Sequence, residues 1–476
     1  MRYQFGAGIA DFVVTPSDSL WAVGQNAAIT FWSAAHDGTQ YTDLLDASGN
    51  PATSVTSDTY GAVPSFYGPD EIAGMWAEAG GGSTRAWMTA RDAYAQSSST
   101  ALETAGLYVR PGWGQFWRAA RGSADTSATV AVIGGSSTIG FYASDLVTQN
   151  WPARLATSLQ SMYGDGGSGF RSALFSANGI AGQDAAAITA WTATGSLVVQ
   201  SGTWSMGGYA AGPGWGYTYS STANDYVTFT VRGTSAVIYT LGSDGGRASW
   251  AYSVDGGSET TVTDTATTGL AVRTRAITGL SAGSHTVKIR HAGTTGQYLS
   301  VLGVAGANAA GVVLNNFGRK NAVASDYNVT LRTGWNGGPN YPADLVVYAV
   351  SPEDVTSGLS ADDWAAQTRQ HLANIRDGGS LTGATDLVLV LPHIGTADSL
   401  GWRYQDYVDR AHSLAIAHEA ALVNLWALGR NSWNYWQSLG FWGDPTSPGT
   451  AGTDAVQMSD AGHAYTASVI SALLKS

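Results

Sequence analysis

The chain has 476 residues, enough for about three domains at roughly 150 residues each. Charged residues make up only 12% of it and aromatics 11%, so there is ample apolar area to bury and a disordered acidic chain is excluded. With 23 Lys and Arg against 35 Asp and Glu the net charge is −12, and no basic run exceeds two residues, which argues against nucleic acid as a partner. Cysteine is absent, excluding disulfides, thiolate nucleophiles and Cys-ligated zinc. No stretch of roughly eighteen apolar residues occurs and the first residues lack the apolar core of a secretory signal, so no membrane insertion and no signal peptide are expected.

Residues 1–117 read as a small all-β domain. ITFWSAA (29–35), the stretch from Tyr41 to Leu45 and STRAWMTA (83–90) are strand-like runs, separated by turn signals such as Ser48-Gly49-Asn50-Pro51 and Gly80-Gly81-Gly82. The polar stretch 118–127 (RAARGSADTS) reads as a linker. Beyond it ATVAVIGG (128–135) is a buried-type strand, and apolar residues at helical spacing over 143–162 predict a helix with Pro152 as an internal break. GVVLNN (311–316), DLVVYAV (344–350), DLVLVLP (386–392) and AALVNLW (420–426) are further apolar strands, alternating with predicted helices over 360–376, 402–418 and 459–474. That alternation defines a three-layer α/β/α domain with a parallel sheet, made of 128–197 plus 306–476. Between its halves, 198–305 carries runs of alternating polarity such as YVTFTVRG (226–233) and HTVKIRHAG (285–293), predicting an inserted β-sandwich.

One stretch places chemistry. In VIGGSSTIG (132–140) a serine leaves a buried strand on glycines just ahead of a helix, which puts it at the carboxyl edge of the sheet, where open α/β folds place their sites. A Gly-Gly-Ser turn is common in loops, so by itself it reads equally as a plain turn.

The remaining blocks add to it. Gly134-Gly135-Ser136-Ser137-Thr138-Ile139-Gly140 resembles the Gly-Asp-Ser-x-Thr-x-Gly first block of the SGNH/GDSL hydrolases. NNFGRKN, with Asn316, Phe317 and Gly318, is similar to their second block; Asn178-Gly179-Ile180-Ala181-Gly182 is a rival placement. PADLVVYAVSPEDV (342–355) has the place of the third block, and TDAVQMSDAGHAY (453–465) resembles the last, Asp-x-x-His. The resemblance implies a flavodoxin-like SGNH fold and a Ser-His-Asp esterase mechanism, with Ser136 as nucleophile, Gly318 as an oxyanion donor and Asp454 as the acid. It also exposes departures. Gln457 stands at the catalytic histidine, Glu353 at the oxyanion asparagine and Gly135 at the aspartate. Gln has no useful basicity near neutral pH, and an ionised Glu repels the charge that Asn stabilises. The expected consequence is a domain that no longer hydrolyses, since losing the base leaves only ~10³–10⁴-fold of catalysis.

Two histidines are candidate substitutes for the missing base: His463, which has Asp-x-x-His spacing to Asp460, and His393, which follows the strand DLVLVLP. The other histidines form no metal-ligand pattern, so no metal and no cofactor are expected.

The segment from 28 to 92, with YTDLLDASGNP, FYGPD and MWAEAGGG, resembles the opening domain of minor tail proteins from phages that infect actinobacteria. That resemblance implies a virion protein assembled in the host cytoplasm, with other tail proteins and a host cell-surface glycan as partners, and a homo-oligomer within the tail. In the predicted sandwich, Trp215, Tyr217, Tyr219, Trp250 and Tyr252 are candidates for stacking on sugar rings; Trp250 and Tyr252 share one strand face and read equally as core. Trp113 and Trp117 of WGQFW (113–117) are candidates for a wedge between domains. The function read from the sequence is thus a structural or glycan-binding tail protein with a degenerate SGNH-like domain. The alternative is an active esterase that deacylates envelope glycan through Ser136 and Asp454.

Overall fold

The computed structural model describes residues 2–7, 13–17, 20–70, 72, 74–80, 85–90, 106–175, 197–208, 214, 216–245, 247–263, 265–319, 322–329, 343–356, 358–377, 385–395 and 402–476. The rival block Asn178–Gly182 and the candidate Trp215 lie outside these residues. The protein is multidomain and rich in β-sheet.

In the N-terminal part, one antiparallel sheet joins Arg2–Phe5, Phe66–Asp70, Leu44–Asp46 and Pro51–Ala52, and a second joins Arg85–Thr89, Gly74–Ala79, Ala28–Trp32 and Gln40–Tyr41. Successive side chains on a strand face opposite ways, and the neighbours Met75 and Trp76 use this. Met75 joins the core of Phe5, Phe31 and Phe66, whereas Trp76 joins Trp117 and Tyr163 of the α/β part. The Trp76 ring meets Tyr163 edge-on at 5.8 Å.

A mostly parallel sheet forms the second part. Its strands in chain order are β1 (Leu107–Tyr108), β2 (Ser127–Ile133), β3 (Gly311–Asn316), β4 (Leu345–Ala349), β5 (Asp386–Leu391) and β6 (Ala421–Asn424). They lie side by side as β1-β6-β5-β4-β2-β3, all parallel except the edge strand β1. Every residue of β4, β5 and β6 is buried, as expected of strands covered on both faces. Alternate residues feed two cores. Val130, Val132, Val347 and Val390 pack with Leu155, Leu159 and Ile470, and Ile133, Val346, Tyr348 and Leu389 pack with Trp364, Tyr404 and Leu414.

The first helix, α1 (Gln115–Arg121), takes in residues 118–121 of the stretch expected as a linker. The Trp113 indole donates to Leu387 O at 2.9 Å, the Trp117 amide to Asp386 Oδ2 at 2.7 Å and the Trp117 indole to Leu474 O at 2.9 Å. Buried tryptophans with satisfied N–H groups tie this segment to the sheet, which a solvated linker has no means to do. Helix α2 (Ser136–Ile139) follows β2, and α3 (Trp151–Tyr163) follows α2. Pro152 is not an internal break: it lies in the first turn of α3, where its missing N–H costs nothing, and Asn150 caps that turn by accepting from the Ala153 amide at 2.7 Å.

Between β2 and β3 the chain builds two stacked antiparallel sheets, one of Ser205–Gly208, Gly216–Ser220, Leu299–Ala307, Ser235–Gly242 and Ala271–Ile277, the other of Val198–Ser201, Tyr226–Arg232, Ser284–His291, Trp250–Val254 and Thr260–Val262. Their inward residues Val227, Phe229, Ile238, Val287, Ile289 and Val301 form one core. The boundary expected at 198 shifts, because Gly169–Ser172 already pairs with Leu299–Ala307. After β3 come α4 (Ala324–Val329), α5 (Pro352–Thr356) beyond β4, α6 (Ala361–Asp377), α7 (Trp402–Ala417), α8 (Leu425–Leu428), α9 (Trp433–Ser438) and α10 (Asp460–Lys475). No described helix is long and apolar enough to cross a membrane.

Candidate active site

The parallel strands run in the spatial order second-first-third-fourth-fifth, so the sheet reverses its winding at β2, and ligands of such sheets bind at the carboxyl ends there. Ser136 leaves β2 at this point and starts α2, with its side chain 2% exposed. The turn before it has no room for larger residues. A Cβ on Gly134 would collide with Thr138 Oγ1, and one on Gly135 with Ser351 Oγ, so the aspartate that the SGNH resemblance puts at 135 does not fit.

The partner of Ser136 comes from the end of β4. Its hydroxyl donates to Glu353 Oε1 at 2.7 Å, and the Ser351 hydroxyl donates to Glu353 Oε2. Glu353, expected at the oxyanion position, is therefore brought to Ser136, as an acceptor. Its neighbour Asp354 is buried, which pushes its carboxyl up to about 7, helped by the nearby Glu353 and Asp326 charges and opposed by the Ala324 amide that donates to it at 2.9 Å.

The other block residues occupy the same sheet edge in different roles. Gly318, assigned as an oxyanion donor, gives its N–H to Asn316 Oδ1 at 2.9 Å, while Asn316 Nδ2 donates to Thr138 O at 2.9 Å. Glycine is required at 318, because a Cβ would stand 2.9 Å from Ile139 Cγ2 and backbone N. Asp454 Oδ1 accepts the amides of Val456 at 2.7 Å and Gln457 at 2.6 Å, a local turn. Gln457 is buried and its Oε1 has no hydrogen-bond partner among the described residues.

Neither candidate substitute base reaches the serine. His463 is fully buried on α10, with Nε2 on Phe141 O at 3.3 Å and no hydrogen bond at Nδ1. Burial holds its pKa down to about 4, against small opposing effects of the Phe141 carbonyl and Asp460. Asp460 does not orient it: its carboxylate takes the Ser144 amide at 2.9 Å and the Ser144 hydroxyl at 2.5 Å. His393 stacks on Trp436 with centroids 4.5 Å apart and meets Trp442 edge-on at 5.2 Å. Burial lowers its pKa to about 4 as well. It is a packed core histidine.

Among the aromatic candidates, Trp250 is corrected. It is only 4% exposed and part of the inter-sheet core, since the alternation that aligns it with Tyr252 points it inward. Tyr252 is half-buried against that core, with the Arg275 guanidinium 5.9 Å from its ring centre. Tyr217 and Tyr219 alternate outward from buried Thr218, 5.9 Å apart, and Tyr219 meets Tyr298 at 5.5 Å. Tyr298 is 46% exposed and completes a row that the sequence did not reveal, because it lies some eighty residues away and joins only through strand pairing.

No protein-family model matches the chain, and no curated protein does. Among solved structures, a peptidoglycan O-acetylesterase superposes with a TM-score of 0.54 at 15% identity, covering 75% of this chain and 93% of that one. A family two carbohydrate esterase from Clostridium thermocellum, in complex with cellohexaose, gives 0.26 at 11% identity over 57% of this chain and 98% of its own. A family 35 carbohydrate binding module from the same organism gives 0.20 at 19% identity over 23% and 92%. The first likeness is one of fold: the chain shares the overall fold of that solved structure. The other two are too distant in shape to carry an argument.

Proposed function

We propose that this protein binds a cell-surface glycan and that its SGNH-like domain is catalytically silent. The observation that carries the reading is the Ser136–Glu353 hydrogen bond of 2.7 Å. A carboxylate is far too weak a base to ionise a serine hydroxyl near neutral pH, and as an acceptor it cannot stabilise an oxyanion as a donor would. The amide of Gly318 is given to Asn316 and Oδ1 of Asp454 takes two backbone amides, which supports reading both in roles other than those the resemblance assigns. Ser136 should therefore react with a fluorophosphonate no faster than a surface serine, and turnover of p-nitrophenyl acetate should equal that of Ser136→Ala. Rapid labelling of Ser136 would overturn the reading in favour of an active esterase.

The glycan part of the proposal rests on the outward row Tyr217, Tyr219 and Tyr298. One solved structure with the same fold is a peptidoglycan O-acetylesterase, so peptidoglycan sacculi are the natural first test. Co-sedimentation with sacculi should occur and should weaken several-fold in Tyr219→Ala and Tyr298→Ala. A place in a phage tail follows from the resemblance of residues 28–92 alone. It predicts that a chain lacking residues 1–105 fails to join purified tails; normal incorporation would reject it.

A further inference from the structure

Where the sandwich meets the α/β layer there is a cavity of about 160 Å³. Its walls come from α3 (Ala153, Ala156, Thr157), from Leu314 of β3 and from two arginines, Arg171 on the strand Gly169–Ser172 and Arg232 on Tyr226–Arg232. The polar side chains lining it are largely satisfied within the protein. Gln160 Nε2 donates to Gly167 O at 2.7 Å and Val312 O at 2.9 Å, while its Oε1 accepts from Arg232 at 2.7 Å. Arg232 is ion-paired with Asp165 at 2.5 Å, and Asn150 caps α3.

Arg171 is the exception. Its side chain makes no hydrogen bond and no ion pair among the described residues, and its Nε is sealed from solvent. The acidic side chain that acts on it, Asp145, makes no ion-pair contact with it and holds the amides of Val147 at 2.7 Å and Thr148 at 3.0 Å on Oδ1. A largely buried guanidinium cannot shed its proton to escape desolvation, so an unpaired one is costly unless something anionic meets it. Burial and the neighbouring Arg232 do lower its pKa, to about 10, which still leaves it charged at neutral pH.

We propose that this cavity binds an oxyanion, a carboxylate or phosphate group, with Arg171 as its charged anchor. The planar fork of an arginine matches either group. The cavity lies among α3, β3 and the sandwich, and Ser136 and Glu353 do not line it. The proposal stands whether or not the tyrosine row binds glycan.

The test is a thermal-shift and calorimetric titration of the full chain in low-chloride buffer with inorganic phosphate, glucuronic acid and glucose. At least one of the two anions should raise the melting temperature saturably, and glucose should not. Tighter binding of glucuronic acid than of phosphate would assign an acidic sugar, and the reverse order a free phosphate-type anion. Arg171→Gln should abolish the shift. Thr157→Glu, at an exposed position on the cavity wall, should weaken binding at least five-fold and keeps the test decisive if Arg171→Gln does not fold. No shift from either anion in the wild type, a shift of equal size with glucose, or undiminished binding in the folded variants would overturn the proposal.

Discussion

Ser136 and Glu353 are 217 positions apart in sequence and 2.7 Å apart in the fold, with the serine donating and the carboxylate accepting. The same carboxylate takes the Ser351 hydroxyl on its other oxygen. Two hydroxyls thus share one carboxylate, and the Ser136 hydroxyl is held as a donor to it.

Ser136→Ala should therefore destabilise the protein by about 1–3 kcal/mol, the usual cost of taking a hydrogen bond from a buried charged group. Urea unfolding followed by tryptophan fluorescence measures this. A neutral or stabilising substitution would contradict the structural role.

Gln457 and Glu353 stand where the resemblance puts histidine and asparagine, which makes restoration testable. Glu353→Asn combined with Gln457→His should produce ester hydrolysis above that of the Ser136→Ala control, because Asn restores a neutral donor and His a base next to Asp454. Either substitution alone should yield little, since base and oxyanion donor act together. The readout is nitrophenyl acetate turnover, and the histidine should give it a rising limb with pH.

Acid should unfold the protein through its buried imidazoles. His371 is pushed down to about 3, and His393 and His463 to about 4, in each case mainly by burial. A folded-state pKa below the unfolded value means that the neutral form belongs to the fold, so stability is full above about pH 6.5 and falls as pH drops toward those values. Each histidine adds at most about 1.4 kcal/mol per pH unit to the slope. Melting temperatures from pH 7 to 4 should decline, and His393→Phe should flatten the decline. Asp354 acts oppositely: its raised pKa of about 7 makes stability fall as pH rises from the usual carboxylate range toward neutrality, and Asp354→Asn should remove that component.

Trp117 ties α1 to the α/β part through its indole N–H and its amide, and its ring shares one core with Trp76 of the N-terminal sheets. Trp117→Ala should cost about 3–5 kcal/mol, the range for removing a large buried aromatic. Limited proteolysis should then show cleavage near α1 before the sheet region is lost. Survival of the native protease pattern and stability would mean that the helix contributes little to holding these parts together.

Much of the architecture was legible in the sequence because it depends on local periodicity. Continuous apolar runs such as DLVLVL gave strands buried on both faces, and alternating runs such as YVTFTVR gave strands of a sandwich. The blocks around Ser136, Gly318 and Glu353 located one sheet edge for the same reason, since each follows the end of a strand. Side-chain direction and long-range pairing were decided only by the tertiary structure. Whether Glu353 repels or receives, whether Gly318 keeps its N–H, whether Trp250 faces sugar or core, and whether 118–121 is linker or packed helix all depend on what arrives from distant parts of the chain. Arg171 shows the limit most clearly: in sequence it is one residue of a short strand, and only the meeting of the sandwich with α3 and β3 leaves it lining a cavity with no hydrogen bond at Nε among the described residues.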